Sequence, residues 1–100
     1  MKQLAVLPQA RRELRDAAAW YESQQAGLGE ELLREVERVL EEIAADPNRF
    51  PRWRDDRPYR KALARRFPYV VFFVERPGDV RVLAVAHGRR RPGYWLTRER

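Results

Sequence analysis

Nine residues near the end of the chain gather its chemically versatile side chains. His87, the single histidine, is followed by Gly88, then Arg89, Arg90 and Arg91, the pair Pro92-Gly93, and Tyr94-Trp95. An imidazole and a phenol can exchange protons, and neighbouring guanidinium groups can hold an anion. Further cations, Arg60, Lys61 and Arg65, precede them on a strand-like run. Each has a purely structural alternative: a hydrogen-bonded histidine at a strand end, a solvated arginine run, and a Tyr-Trp pair folded back on the sheet edge. With no cysteine and one histidine, neither a disulfide framework nor a His/Cys metal cluster can form, and no cofactor or metal is expected.

A chain of 100 residues has room for one core and one domain, spanning residues 1–100. The net charge of +6 is unevenly placed. Residues 1–50 hold seven Lys/Arg against ten Asp/Glu, a net −3, while residues 51–100 hold fourteen against five, a net +9. That asymmetry points to an anionic partner for the second half: nucleic acid, an acidic protein segment or, least, a membrane surface. A simple preference for arginine, which supplies 19 of the 21 basic residues, leaves the loss of acids after Asp56 unexplained. The opening MKQLAVLP has too short an apolar run for a signal peptide or membrane span, so a cytoplasmic protein without membrane contact is expected.

The elements that must position these groups follow from periodicity. Residues 4–7 form a short strand ended by Pro8. Over residues 9–25, Ala10, Leu14, Ala17, Ala18 and Tyr21 share one face of an amphipathic helix. Gly27 suits a left-handed C-terminal position, and Gly29 opens a second helix with Glu30 and Glu31 in its first turn. Leu32, Leu33, Val36, Leu40 and Ile43 form its apolar face, and Asp46-Pro47 stops it. Residues 47–58 read as a loop in which Phe50 and Trp53 seal the core, an exposed docking role being the lesser alternative.

Residues 59–66 read as a strand with Tyr59, Lys61, Leu63 and Arg65 on one side. Residues 69–74, apolar on both faces, read as an interior strand. Arg76-Pro77-Gly78-Asp79 is a turn by composition, and residues 80–86 return with Arg81, Leu83, Val85 and His87 on one side and Val80, Val82, Ala84 and Ala86 on the other. Residues 96–100 read as a frayed tail. The sum is a two-layer α+β fold: an N-terminal strand, then an antiparallel helical hairpin packed on a mainly antiparallel sheet with three C-terminal strands. The sheet's far face is expected to carry arginines.

The order of elements, together with RRELRDAAAWYESQQAGLG, DPNRFPRW, RRFPYVVFF and LAVAHGRRRPGYW, resembles the RelE/ParE superfamily, toxins of type II toxin-antitoxin modules. The resemblance covers nearly the whole chain. It implies a hetero-oligomer with a cognate antitoxin whose flexible, acidic segment folds across the toxin. It also implies one of two targets: RelE-like members cut messenger RNA on the ribosome without metal, whereas ParE-like members bind and poison DNA gyrase.

For RNA cleavage the candidates are His87 as acid or base, Tyr94 as proton donor, and Arg60, Lys61, Arg65 and Arg90 as phosphate ligands. The nuclease branch typically places an arginine after the aromatic that opens the interior strand, where this chain has Val70 in Tyr69-Val70-Val71-Phe72-Phe73. That departure, with the long first helix and its Trp20-Tyr21 pair, brings the chain closer to the ParE-like branch, acting by binding rather than as an enzyme. Arg60, Lys61, Arg65, Arg89, Arg90 and Arg91 are then candidates for contacting the target or nucleic acid, and Trp20, Tyr21 and Trp53 for contacting the antitoxin. Packing is the plain alternative for the last three. A non-toxic basic RNA-binding domain would have the same composition.

Overall fold

A computed structural model describes residues 1–98. The elements are β1 (Gln3–Val6), α1 (Pro8–Gln24), α2 (Leu28–Ala45), β2 (Tyr59–Leu63), β3 (Tyr69–Arg76) and β4 (Asp79–His87), with short 3-10 turns at Pro47–Arg49 and Leu96–Arg98. The strands lie in the order β1-β4-β3-β2, with β1 parallel to β4 and the other pairings antiparallel. The helical hairpin covers one face of this sheet, giving the expected α+β layers. No helix among the described residues is long and apolar enough to cross a membrane.

Proline at the first turn of α1 starts the helix one residue earlier than periodicity suggests, since its fixed φ suits that position and its missing N–H costs nothing there. Ala10, Ala17 and Ala18 are buried, with Leu14 and Tyr21 packed beside them. In α2 the buried stripe is Leu32, Val36, Val39 and Ile43, spaced by three or four residues. Leu33 is not on it: one helical step from Leu32, it is 41% exposed at the crevice between the helices, and Val39 takes the place expected of it. Gly27 does adopt a left-handed φ of +90°, but as the N-cap of α2 rather than the end of α1. The Glu22 carboxylate accepts N–H bonds from Gly27 at 2.9 Å and Gly29 at 3.0 Å, so a side chain of α1 caps α2. A side chain at position 29 would collide with the Ala18 carbonyl oxygen, which is why the helices can close so tightly there.

Strand β2 stops at Leu63 instead of reaching residue 66, because Arg66 turns the chain with φ +71° and the Arg65 N–H bonds the Glu35 carboxylate of α2. Strand β4 carries a bulge. Phe72 lies opposite Ala84 but Phe73 opposite Val82, leaving Leu83 as the extra residue. Simple alternation therefore fails after Val82: Val80, Val82 and Val85 join the core under the helices, while Leu83 and Ala84 join a second cluster on the opposite face.

That opposite face corrects a second expectation, since it carries apolar side chains rather than a field of arginines. Beyond β4 the chain folds back and inserts Trp95, wholly buried, against Phe72 (stacked, 4.8 Å), Trp53 and Tyr59 (edge-on, 5.0 Å each). Truncating such a side chain costs about 3–5 kcal/mol. Phe50 seals the other side, edge-on to Phe73 at 5.8 Å. Residues 96–98 are thus a packed turn and not a frayed tail; residues 99–100 lie outside the described residues.

Candidate functional site

The extra residue in β4 leaves ladder groups without partners, and two side chains distant in sequence supply them. Glu13 of α1 accepts the Val85 N–H at 3.1 Å, and the Arg98 guanidinium donates to the Leu83 carbonyl at 3.0 Å. Arg98 also grips Glu13 through both nitrogens, at 2.9 and 3.0 Å, and the Tyr94 hydroxyl donates to the same carboxylate at 2.5 Å. Both members of the ion pair keep only 16% of their side-chain surface exposed. Burial first, then Glu13, pushes the Tyr94 phenol well above its ordinary value of 10, and Glu13 likewise raises Arg98.

This knot fixes the turn that holds the arginines. The Arg90 guanidinium lies over the Tyr94 ring at 3.8 Å from its centroid. His87 stands edge-on to Tyr69 at 5.3 Å, and its Nδ1 accepts the Arg89 N–H at 3.0 Å, which puts the proton of the neutral ring on Nε2. Two clefts meet at this turn, and both His87 and Arg90 line each of them. On the outer sheet face, a cleft of about 200 Å³ has Val70, Phe72 and Leu63 as its floor and Lys61, Arg90 and Arg91 at its rim, with Trp53 at one end. On the helix side, a cleft of about 260 Å³ is bounded by Asp16, Trp20, Tyr69 and Val85 as well. Burial raises Tyr69 above its ordinary value there.

Of the residues proposed from sequence, His87, Arg90 and Tyr94 come together, with Lys61 and Arg91 across the outer cleft and Arg89 exposed at the turn. Arg60 does not join them. It points to the helix side and donates to the Phe50 carbonyl at 2.6 Å, with Asn48 at 3.5 Å, pinning the loop after α2. Arg65 is exposed on the β2–β3 turn beside α2 and lines neither cleft. Trp20, 59% exposed, and Tyr21, set edge-on between Trp20 (5.0 Å) and Phe67 (5.1 Å), lie on the helix side. Trp53 lies on the far face, packed on Trp95 and covered by Arg54 at 4.4 Å. Glu13 and Arg98 were not singled out from sequence. Glu13 falls three residues after Ala10 and four before Ala17, inside the apolar stripe of α1, and a carboxylate in such a stripe signals a buried partner.

Among the described residues Lys61, Arg89, Arg90 and Arg91 make no ion pair, and no group of three His, Cys, Asp or Glu side chains is placed to hold a metal ion. The arrangement is therefore suited to holding an anionic or mixed anionic and apolar partner.

Comparison with known proteins matches the chain to one family and to solved structures. A family model described as "ParE toxin of type II toxin-antitoxin system, parDE" matches residues 4–92. Among solved structures the chain is similar to one titled "Chromosomal ParDE TA system from P. aeruginosa", with a TM-score of 0.68 and 18% identity, covering 87% of this chain and 96% of the other. No curated protein matches.

Proposed function

The chain belongs to the ParE toxin family of type II toxin-antitoxin systems, and from that premise we propose that it arrests growth by binding an essential target, DNA gyrase, and not by cutting RNA. The observation that carries this reading is the state of Tyr94. Its hydroxyl is given to Glu13 at 2.5 Å and its proton is held tightly, so it is a poor donor to a leaving oxygen. Val70 supports the same reading, because it stands where cleavage would call for a cation. What remains is a binding surface: an apolar floor ringed by Lys61, Arg90 and Arg91.

Neutralisation by a cognate antitoxin follows the same chemistry. A flexible acidic segment would meet the arginine turn, and an amphipathic helix would cover Trp20, Tyr21 and the exposed Leu33, with Trp53 touched on the far face. The complex should weaken only in part as salt rises, since its apolar portion is not screened.

The test is a supercoiling assay with purified gyrase and this chain, paired with a map of RNA 5′ ends shortly after induction in cells. Loss of supercoiling without new ends inside translated codons is the expected result. New ends that vanish in a His87→Ala variant would replace this reading with ribosome-dependent cleavage.

A further inference from the structure

We propose that the Arg89–Arg91 turn and the helix-side cleft beside it bind single-stranded nucleic acid. Six of the other cations, Lys2, Arg34, Arg38, Arg49, Arg66 and Arg98, each face a carboxylate within 4 Å. Lys61, Arg89, Arg90 and Arg91 make no such pair among the described residues, and they gather where β2 and β4 end and β3 begins. An array of uncompensated guanidinium groups at one end of a sheet is what a phosphate backbone requires.

The cleft supplies the second half of the recognition. The Trp20 ring is 59% exposed yet held edge-on to Tyr21, and it shares the cleft with Tyr69, His87 and Arg90. Exposed rings next to cations form a platform on which an unpaired base stacks while its phosphate is neutralised, and every base has a face to offer. Duplex bases have their faces covered, so the geometry favours a single strand.

Two carboxylates lie nearby and must be counted. Glu13 is neutralised by Arg98 and hydrogen-bonded by Tyr94. Asp16 faces the cleft with no ion pair among the described residues, which keeps the phosphate on the arginine side and lets the base occupy the Trp20 side.

The experiment measures fluorescence anisotropy of short labelled oligonucleotides with the purified chain over a range of salt. A single strand is expected to bind, with the logarithm of affinity falling against the logarithm of salt by about 0.7 per phosphate contacted. Replacing Arg89, Arg90 and Arg91 together with Gln should lower affinity about tenfold or more and flatten that slope. Trp20→Ala should weaken binding by roughly 5- to 100-fold and leave the slope unchanged. All four side chains are exposed, so circular dichroism should show the fold intact in both variants. The proposal is overturned if no single strand binds at low salt, if duplex binds equally well, or if Trp20→Ala has no effect. Displacement by polyglutamate as effective as by an unlabelled strand of equal charge would also overturn it, in favour of an acidic-peptide surface. The assay contains no gyrase, so its failure leaves the proposed target untouched.

Discussion

Replacing Glu13 tests whether one carboxylate on α1 holds the arginine turn in place. Glu13→Ala removes the acceptor for the Val85 N–H, the Tyr94 hydroxyl and both Arg98 contacts. Hydrogen bonds to a charged group contribute about 1.5–3 kcal/mol each, but bonds sharing one carboxylate are not additive. Removing one member of a buried pair costs about 3–5 kcal/mol, and the 16% of each side chain still exposed places this pair at the lower end. We expect about 3 kcal/mol, which for a domain of this size lowers Tm by roughly 12 °C or more. Glu13→Gln keeps an acceptor for Val85 and should cost about half as much.

The decisive assay is a double-mutant cycle of Glu13→Gln with Arg98→Gln, followed by urea denaturation with tryptophan fluorescence, for which the buried Trp95 is a reporter. A coupling energy of about 1–2 kcal/mol is expected. A value under about 0.5 kcal/mol, the level of an exposed pair, would show that Trp95 packing alone holds the turn and refute the latch.

Three further outcomes follow from particular contacts. The raised Tyr94 value means the folded state keeps that proton longer than the unfolded chain, so its contribution is fully present below about pH 10 and lost as pH rises from there; in Tyr94→Phe the alkaline loss measured by denaturation should be smaller. Glu35 behaves in the opposite sense: Arg38 and the Arg65 N–H hold its carboxyl below the ordinary 4.5, so its stabilisation is present above that pH and lost as pH falls below it, and Glu35→Gln should flatten the acid limb of stability against pH. Gly29→Ala forces a methyl group against the Ala18 carbonyl and should cost about 1–3 kcal/mol in a thermal melt, despite alanine's better helix propensity.

The sequence showed the elements well where a single rule governed them. The stripe of α1, the Asp46-Pro47 stop and the interior strand beginning at Tyr69 each rest on one period or one steric fact, and each stands as read. It failed where two rules compete. The period of two along β4 is broken at Leu83 by a bulge whose freed groups are satisfied only by Glu13 and Arg98, about 70 residues upstream and 15 downstream. The place of Glu13 in the α1 stripe signals that a buried partner exists, but no local pattern says which groups it meets. For the same reason Arg60 and Arg65 read as site cations beside Lys61, although the pleat and the early turn at Arg66 send them toward α2. The far sheet face was misjudged because Trp95 covers it from beyond the last strand, a contact invisible in a strand-by-strand reading.

Because β1 runs parallel to β4, Gln3 lies opposite Asp79, 79 − 3 = 76 residues away along the chain. The β3–β4 hairpin, by contrast, closes through a two-residue turn at Pro77-Gly78. The entropy lost in closing a loop grows with its length, so the hairpin can nucleate before the N-terminal strand finds its edge. β1 is therefore expected to dock late, after the arginine-bearing end of the sheet has taken shape. Substitutions in β1 should then speed unfolding while leaving the folding rate nearly unchanged, which stopped-flow kinetics would show.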